Sequence, residues 1–212
     1  MKDFFSFPKI NKGKEISLSY RRERFIIDVI ISEEYSFAFD NLVVVDIGAN
    51  IGAFSLWIYD RAKTIYAIEP VGEVLDCLDE TIKDNGLTKI KTYQLAITDS
   101  NGQDTMREIE DPHLGGWQID PQGKYPVTTM TLGSFFAKEG IEYADIVKMD
   151  VEGMEERILL ADDFPKDKIG TIIGEDHDFG KEGERRELKP VFDKIGFEYF
   201  KCPKNHFIGR RR

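Results

Sequence analysis

Carboxylates stand where β-branched runs end, and the residues beside them suggest chemistry. Leu42 to Val45 leads into Asp46-Ile47-Gly48-Ala49-Asn50-Ile51-Gly52, and one strand-helix-strand unit later Ile68 leads into Glu69-Pro70. Glycines at a strand-to-helix turn let a ligand approach the backbone closely. In a dinucleotide fingerprint, Asn50 would occupy the second glycine position, where the backbone meets a pyrophosphate, and Asp46 would oppose that diphosphate. An acidic, glycine-lined turn suits a cationic ligand better, and S-adenosylmethionine carries an ammonium and a sulfonium but no phosphate. Asp46, Gly48, Asn50 and Gly52 are therefore candidate cofactor residues. Glu69 is a candidate bidentate acceptor for ribose hydroxyls, a contact any adenosyl cofactor needs, so it does not choose between them. Helix capping is the competing role for both acids. Ala96 would leave room for an adenine face.

Two later strand exits are richer. In Asp145-Ile146-Val147-Lys148-Met149-Asp150-Val151-Glu152-Gly153, the two-residue period turns Lys148 and Asp150 to the same side. A lysine near the end of a strand covered on both faces needs a carboxylate to offset its desolvation, and Asp150, Glu152 or an acid of a neighbouring strand must answer it. The next exit is Ile173-Gly174-Glu175-Asp176-His177-Asp178. Such a polar constellation is costly to assemble unless it is used. Ion pairs and helix caps are the alternative.

These residues need a scaffold that gathers strand ends. Strands are expected at 42–46, 64–68, 90–95, 145–149 and 171–174, with helices near 52–60, 71–85, 132–139, after Gly153 and at 182–195. The alternation implies an α/β fold with a mostly parallel sheet and helices on both faces, with ligands at the carboxyl ends of the strands. Phe197 to Phe200 and His206 to Ile208 around Cys-Pro-Lys-Asn predict a C-terminal antiparallel hairpin. Between 100 and 131, strand-like pieces at 104–109 and 125–131 flank a stretch rich in turn formers, which reads as an inserted hairpin or flap. There His113, Gly115, Gly116 and Trp117 could close over a sugar or ring, and Tyr35 could also face the acceptor. The division expected is an N-terminal appendage over 1–40 and a main domain over 41–212.

With 212 residues, 41% hydrophobic and 32% charged, the chain fits neither the disordered nor the membrane class. Its formal charge of −10 repels polyanions, and neither Arg21-Arg22-Glu23-Arg24 nor Arg210-Arg211-Arg212 carries interleaved aromatic stacking residues, so nucleic acid is disfavoured as a partner. Two cysteines, Cys77 and Cys202, make neither a disulfide framework nor a cysteine zinc site. The N-terminus lacks an apolar signal region and no stretch reaches a bilayer span, so a soluble, cytoplasmic protein is expected, its oligomeric state open.

VVVDIGANIGAFS (43–55), YAIEP (66–70), VTTMTL (127–132), ADIVKMDVEGMEERIL (144–159) and IIGEDH (172–177) together resemble, in order and spacing, the FkbM-type family of S-adenosylmethionine-dependent methyltransferases. The resemblance spans about 40–210 and implies a class I methyltransferase fold, Rossmann-like and seven-stranded with an antiparallel seventh strand. It also implies methylation of hydroxyl oxygens on natural products, sugars or polysaccharides. By position it assigns Asp46, Gly48, Asn50 and Gly52 to the cofactor loop and Glu69 to the ribose. Lys148, Asp150, Glu152 and Glu155 match its second motif, and Glu175 and His177 the acid and histidine after the fifth strand. One departure is Gly133, where the family usually has Asp after Thr-Leu.

Methyl transfer from a sulfonium is an in-line displacement, so the protein must align the acceptor and take its proton. Asp150 is the expected base or acceptor anchor, Lys148 tunes it through an ion pair, and Glu175 and His177 form the opposite wall. Asp150, Glu152, Glu175 and His177 could instead share a divalent cation that binds the acceptor oxygen. Oxygen ligands suit magnesium, calcium or manganese, the histidine admits iron or zinc, and the metal is left unknown. The alternatives to a small-molecule or glycan O-methyltransferase are a catalytically silent cofactor-binding module, an RNA methyltransferase on the same fold, and a nicotinamide oxidoreductase, disfavoured by Asn50 and Asp46.

Overall fold

The computed structural model describes residues 5–7, 16–18, 40–109, 116–177, 187–202 and 205–212. Backbone contacts divide the chain into two compact units, Met1–Gln94 and Leu95–Arg212.

In the first unit, β1 (Phe5–Phe7) and β2 (Ile16–Leu18) pair antiparallel. β3 (Leu42–Ile47), β4 (Ala62–Ile68) and β5 (Ile90–Tyr93) run parallel, joined by helices α1 (Ala53–Ile58) and α2 (Gly72–Asn85). Val44, Val45, Ile47, Ile65 and Ile68 are buried, as the aliphatic runs of a strand covered on both faces require. α2 buries Leu75, Leu78 and Thr81 at helical spacing and stops at Gly86, whose left-handed backbone (φ 63°) returns its N–H to the carbonyls of Ile82 and Lys83.

The second unit opens with β6 (Ala96–Thr98), followed by β7 (Gly102–Ile109), β8 (Gly116–Ile119) and β9 (Tyr125–Thr131). After helix α3 (Leu132–Glu139) come β10 (Ala144–Met149), helix α4 (Glu155–Leu159), β11 (Ile169–Glu175), helix α5 (Lys189–Ile195), β12 (Phe197–Lys201) and β13 (His206–Arg211). β10 and β11 are parallel, while β13 pairs antiparallel with both β11 and β12. The expected hairpin is thus present. Phe192 of α5 packs on Phe197, Tyr199 and Phe207, with ring centroids 5.3 to 6.5 Å apart. Within this unit the strand order is β12-β13-β11-β10, and within the first it is β3-β4-β5.

Two expectations are refined. The strand expected over 90–95 ends at Tyr93, and a further strand not foreseen from the sequence, β6 at Ala96–Thr98, follows it and pairs parallel with β9. The flap is then not a lone hairpin but a four-stranded sheet in the order β6-β9-β7-β8. Its cohesion comes from a core of its own, Ala96, Met106 and Val127 with Trp117 and Ile119 against them. β8 lies within the stretch that turn-forming residues mark as loop, because pairing with β7 rather than local propensity orders it. Of the helix expected over 182–195, Lys189–Ile195 is observed, and 178–186 lie outside the described residues. Tyr35, Arg21 to Arg24, His113, Gly115 and Asp178 also lie outside them. Among the described residues no helix is long and apolar enough to cross a membrane.

Candidate functional site

The turn after β3 is built from backbone conformations that L-residues seldom adopt: Gly48 at φ 71°, Asn50 at 51° and Gly52 at 90°. Gly48 and Ala49 both donate to the Ile68 carbonyl at 2.9 Å, tying the turn to the end of β4. A Cβ on Gly52 would strike the Leu78 side chain of α2, so this glycine serves packing as well as conformation. Asn50 tolerates the left-handed region partly because its side-chain oxygen accepts the Ile51 N–H at 2.7 Å. Glu69, almost fully buried, accepts the Asn50 N–H through Oε2 and the Val71 N–H through Oε1, each at 3.0 Å. Asp46 is fully buried, and its Oδ2 accepts the Ser55 hydroxyl of α1 at 2.6 Å. Asp46 therefore holds the following helix in place. Ala96 lies in the small core under the flap sheet of the second unit.

In the second unit the exits of β10 and β11 bring together Lys148, Asp150, Glu152, Glu175 and His177. Lys148 Nζ is 3.5 Å from Asp150. His177 Nε2 lies 3.6 Å from Asp150 Oδ1, 3.7 Å from Glu152 Oε2 and 3.7 Å from Glu175 Oε2. Glu152 reaches this ring through a left-handed backbone (φ 49°), and Gly153 follows at 95°. Two groups were absent from the catalytic set read from the sequence. Glu155, 3% exposed, meets His177 Nδ1 at 2.9 Å. His206 of β13 stands in register with Glu175. The signal for Glu155 was its place in the motif of β10. His206 had no signal beyond its strand.

Burial is the largest influence on these acids. It pushes Glu152 up to about 7; the His177 charge opposes it, and Asp150, Glu175 and Glu155 add to it. Burial likewise raises Glu175, against the pull of His177. For His177 burial works against the charged ring, but the Glu155 hydrogen bond and the charges of Asp150, Glu155 and Glu152 outweigh it and push the ring up to about 9. At neutral pH the cluster thus holds an imidazolium beside a carboxyl group poised to exchange a proton. Asp150, Glu175 and His177 also offer donor atoms all within 4.8 Å of one another.

The flap sheet touches this cluster. A Cβ on Gly116 of β8 would stand 2.5 Å from Glu152 Oε1, so the bare glycine backbone lies against that carboxylate. Trp117 packs edge-on to Tyr125 at 4.3 Å, and Tyr125 is exposed. An acid does stand beside Gly133, though not from that position. Asp163 accepts the Thr131 hydroxyl at 2.5 Å and the Ser134 hydroxyl at 3.4 Å, and a Cβ on Gly133 would collide with it. Of the C-terminal arginines, Arg211 pairs with Asp167 and Arg212 with Asp193, while Arg210 lies over the Phe200 ring.

Comparison with known proteins bears on this arrangement. Among solved structures, the fold resembles a methyltransferase FkbM from Methylobacillus flagellatus (13% identity, 89% of this chain and 48% of that one, TM-score 0.54). It also resembles a precorrin-6y C5,15-methyltransferase from Geobacter metallireducens (13% identity, 91% and 94% covered, TM-score 0.53). A protein of the NADB-Rossmann superfamily from Streptococcus agalactiae is similar too (12% identity, 91% and 69% covered, TM-score 0.51). These likenesses are of fold, and the chain spans about half the length of the FkbM structure. No curated protein matches the sequence. The sequence pattern of the methyltransferase FkbM domain, however, matches residues 46–201, from the acid at the end of β3 to the last residue of β12. Since that stretch carries the glycine turn, the acid after β4 and the whole carboxylate-histidine cluster, the chain belongs to the FkbM methyltransferase family.

Proposed function

We propose that this protein is an S-adenosylmethionine-dependent O-methyltransferase acting on a hydroxyl of a small molecule, sugar or glycan. The observation that carries the reading is the cluster at the exits of β10 and β11, where Glu152 exchanges its proton near neutrality beside a charged His177. An alcohol has a high pKa, so it needs a general base, or a cation to hold its developing charge, to become a nucleophile at neutral pH.

The residues of the first unit suit the donor. The glycine turn offers backbone amides and no cationic side chain, and Glu69 braces the turn by accepting the Asn50 and Val71 N–H groups at the strand exit where an adenosyl ribose would be expected. The bound donor supplies an electrophilic methyl group, which leaves with a neutral thioether behind. Glu152 takes the acceptor proton as the new carbon–oxygen bond forms, and His177 and Lys148 stabilise the charge that develops on oxygen. Burial favours Glu152 over the half-exposed Asp150 as base. Asp150, paired with Lys148, orients the acceptor.

Thermal shift against S-adenosylhomocysteine and NAD, followed by methyl transfer to a panel of sugars, phenols and structured RNA, tests this. Stabilisation by the nucleoside thioether with turnover on a hydroxyl acceptor is expected. Stabilisation by NAD alone, or tight RNA binding at physiological salt with RNA methylation, would overturn it.

A further inference from the structure

We propose that Glu155 is a positioning residue, clamping the His177 ring through Nδ1 so that Nε2 is presented to the carboxylates of Asp150, Glu152 and Glu175. The assignment of that face to acceptor chemistry rests on the function proposed above. The clamp itself does not.

A carboxylate only accepts hydrogen bonds, so the 2.9 Å contact with Glu155 Oε1 places a proton on Nδ1. The same oxygen accepts the Gly153 N–H at 3.4 Å, which fixes the carboxylate in turn. Backbone geometry makes the clamp reachable. The consecutive positive φ angles of Glu152 and Gly153 reverse the chain at once after β10, so that Glu152 and Glu155 address the two nitrogens of one ring. A non-glycine residue held there is strained, and such strain persists only where the surroundings enforce it. Glu155 is 3% exposed and the His177 side chain 14% exposed, so neither has water as an easy substitute.

With Nδ1 committed to Glu155, Nε2 faces three carboxylates at nearly equal distances. The other charged groups facing the cluster among the described residues are Lys148 of β10 and His206 of β13. A buried acid that orients an imidazole and steadies its charge is the arrangement by which a histidine keeps one tautomer through a reaction cycle. Without it the ring could turn or shed its charge, and Glu152 would lose its cationic neighbour.

The test uses the full chain with 15N-labelled histidine and no donor or acceptor present; the chain has three histidines, and His177→Asn assigns the resonance. At about pH 10 the neutral His177 ring is expected to keep its proton on Nδ1, against the usual preference of free imidazole for Nε2. Glu155→Gln, whose amide oxygen still accepts, should retain that tautomer but lose ring charge at lower pH, whereas Glu155→Leu should lose the tautomer. Turnover in Glu155→Gln should fall at least ~10-fold with the donor KM unchanged. A wild-type ring protonated on Nε2 overturns the proposal without any variant, as does an unaltered tautomer in a folded Glu155→Leu. If no hydroxyl acceptor is ever methylated, the function proposed above fails while the tautomer result still decides the clamp.

Discussion

Glu69 is almost fully buried and Glu152 partly so, and their surroundings differ. Burial, with Asp150, Glu175 and Glu155 adding to it against the pull of His177, pushes Glu152 up to about 7. Turnover should therefore rise through about pH 7 as Glu152 ionises and fall above about 9 as His177 loses its charge. A pH–rate profile reads both limbs. Glu152→Gln should lower kcat by roughly 100-fold or more and abolish the acid limb. Glu69 instead accepts two backbone amides. Glu69→Gln would turn an NH2 toward one of them, costing about 1–3 kcal/mol, and calorimetry should show donor affinity weakened by about 10-fold or more.

At the scale of elements, the flap sheet is a structured wall rather than a loop. Its strand β8 approaches the cluster only because position 116 lacks a side chain. Gly116→Ala places a methyl group against Glu152 Oε1, so either strand β8 or the carboxylate must move. Turnover is expected to fall about 10-fold or more with donor affinity unchanged, since a small misplacement of a proton acceptor has disproportionate effect. A Gly116→Ala variant with wild-type kcat would show that β8 is no part of the catalytic wall. The small core of Ala96, Met106, Val127, Trp117 and Ile119 lets this sheet hold its shape, and Tyr125 beside Trp117 presents an exposed aromatic edge.

Across the whole molecule, the cluster makes stability depend on pH. Glu152 binds its proton more tightly folded than unfolded between 4.5 and about 7, and His177 does so between 6.5 and about 9. The folded state thus holds more protons than the unfolded one over this range, and stability must fall as pH rises through it. Urea midpoints should decline from about pH 5 to 9, with a flatter slope in Glu152→Gln. Exhaustive chelation should leave turnover intact, because His177 and Lys148 already supply the positive charge. A loss of activity reversed by magnesium or manganese would instead place a cation among Asp150, Glu175 and His177.

The sequence by itself determined what depends on short-range regularity. Period-two runs and helical spacing announced the α/β alternation, Gly48 and Gly52 announced the turn after β3, and the acids of the later strand exits announced a polar constellation there. What it could not contain is proximity between residues far apart in the chain. Pairing with β7 made a strand of Gly116–Ile119. Folding set Asp163 beside Gly133, turned Glu155 onto His177, and laid Gly116 against Glu152. Proton affinity belongs to the same class. A carboxylate is ordinary in water, and only burial among other charges, which the tertiary structure alone decides, pushes Glu152 up to about 7.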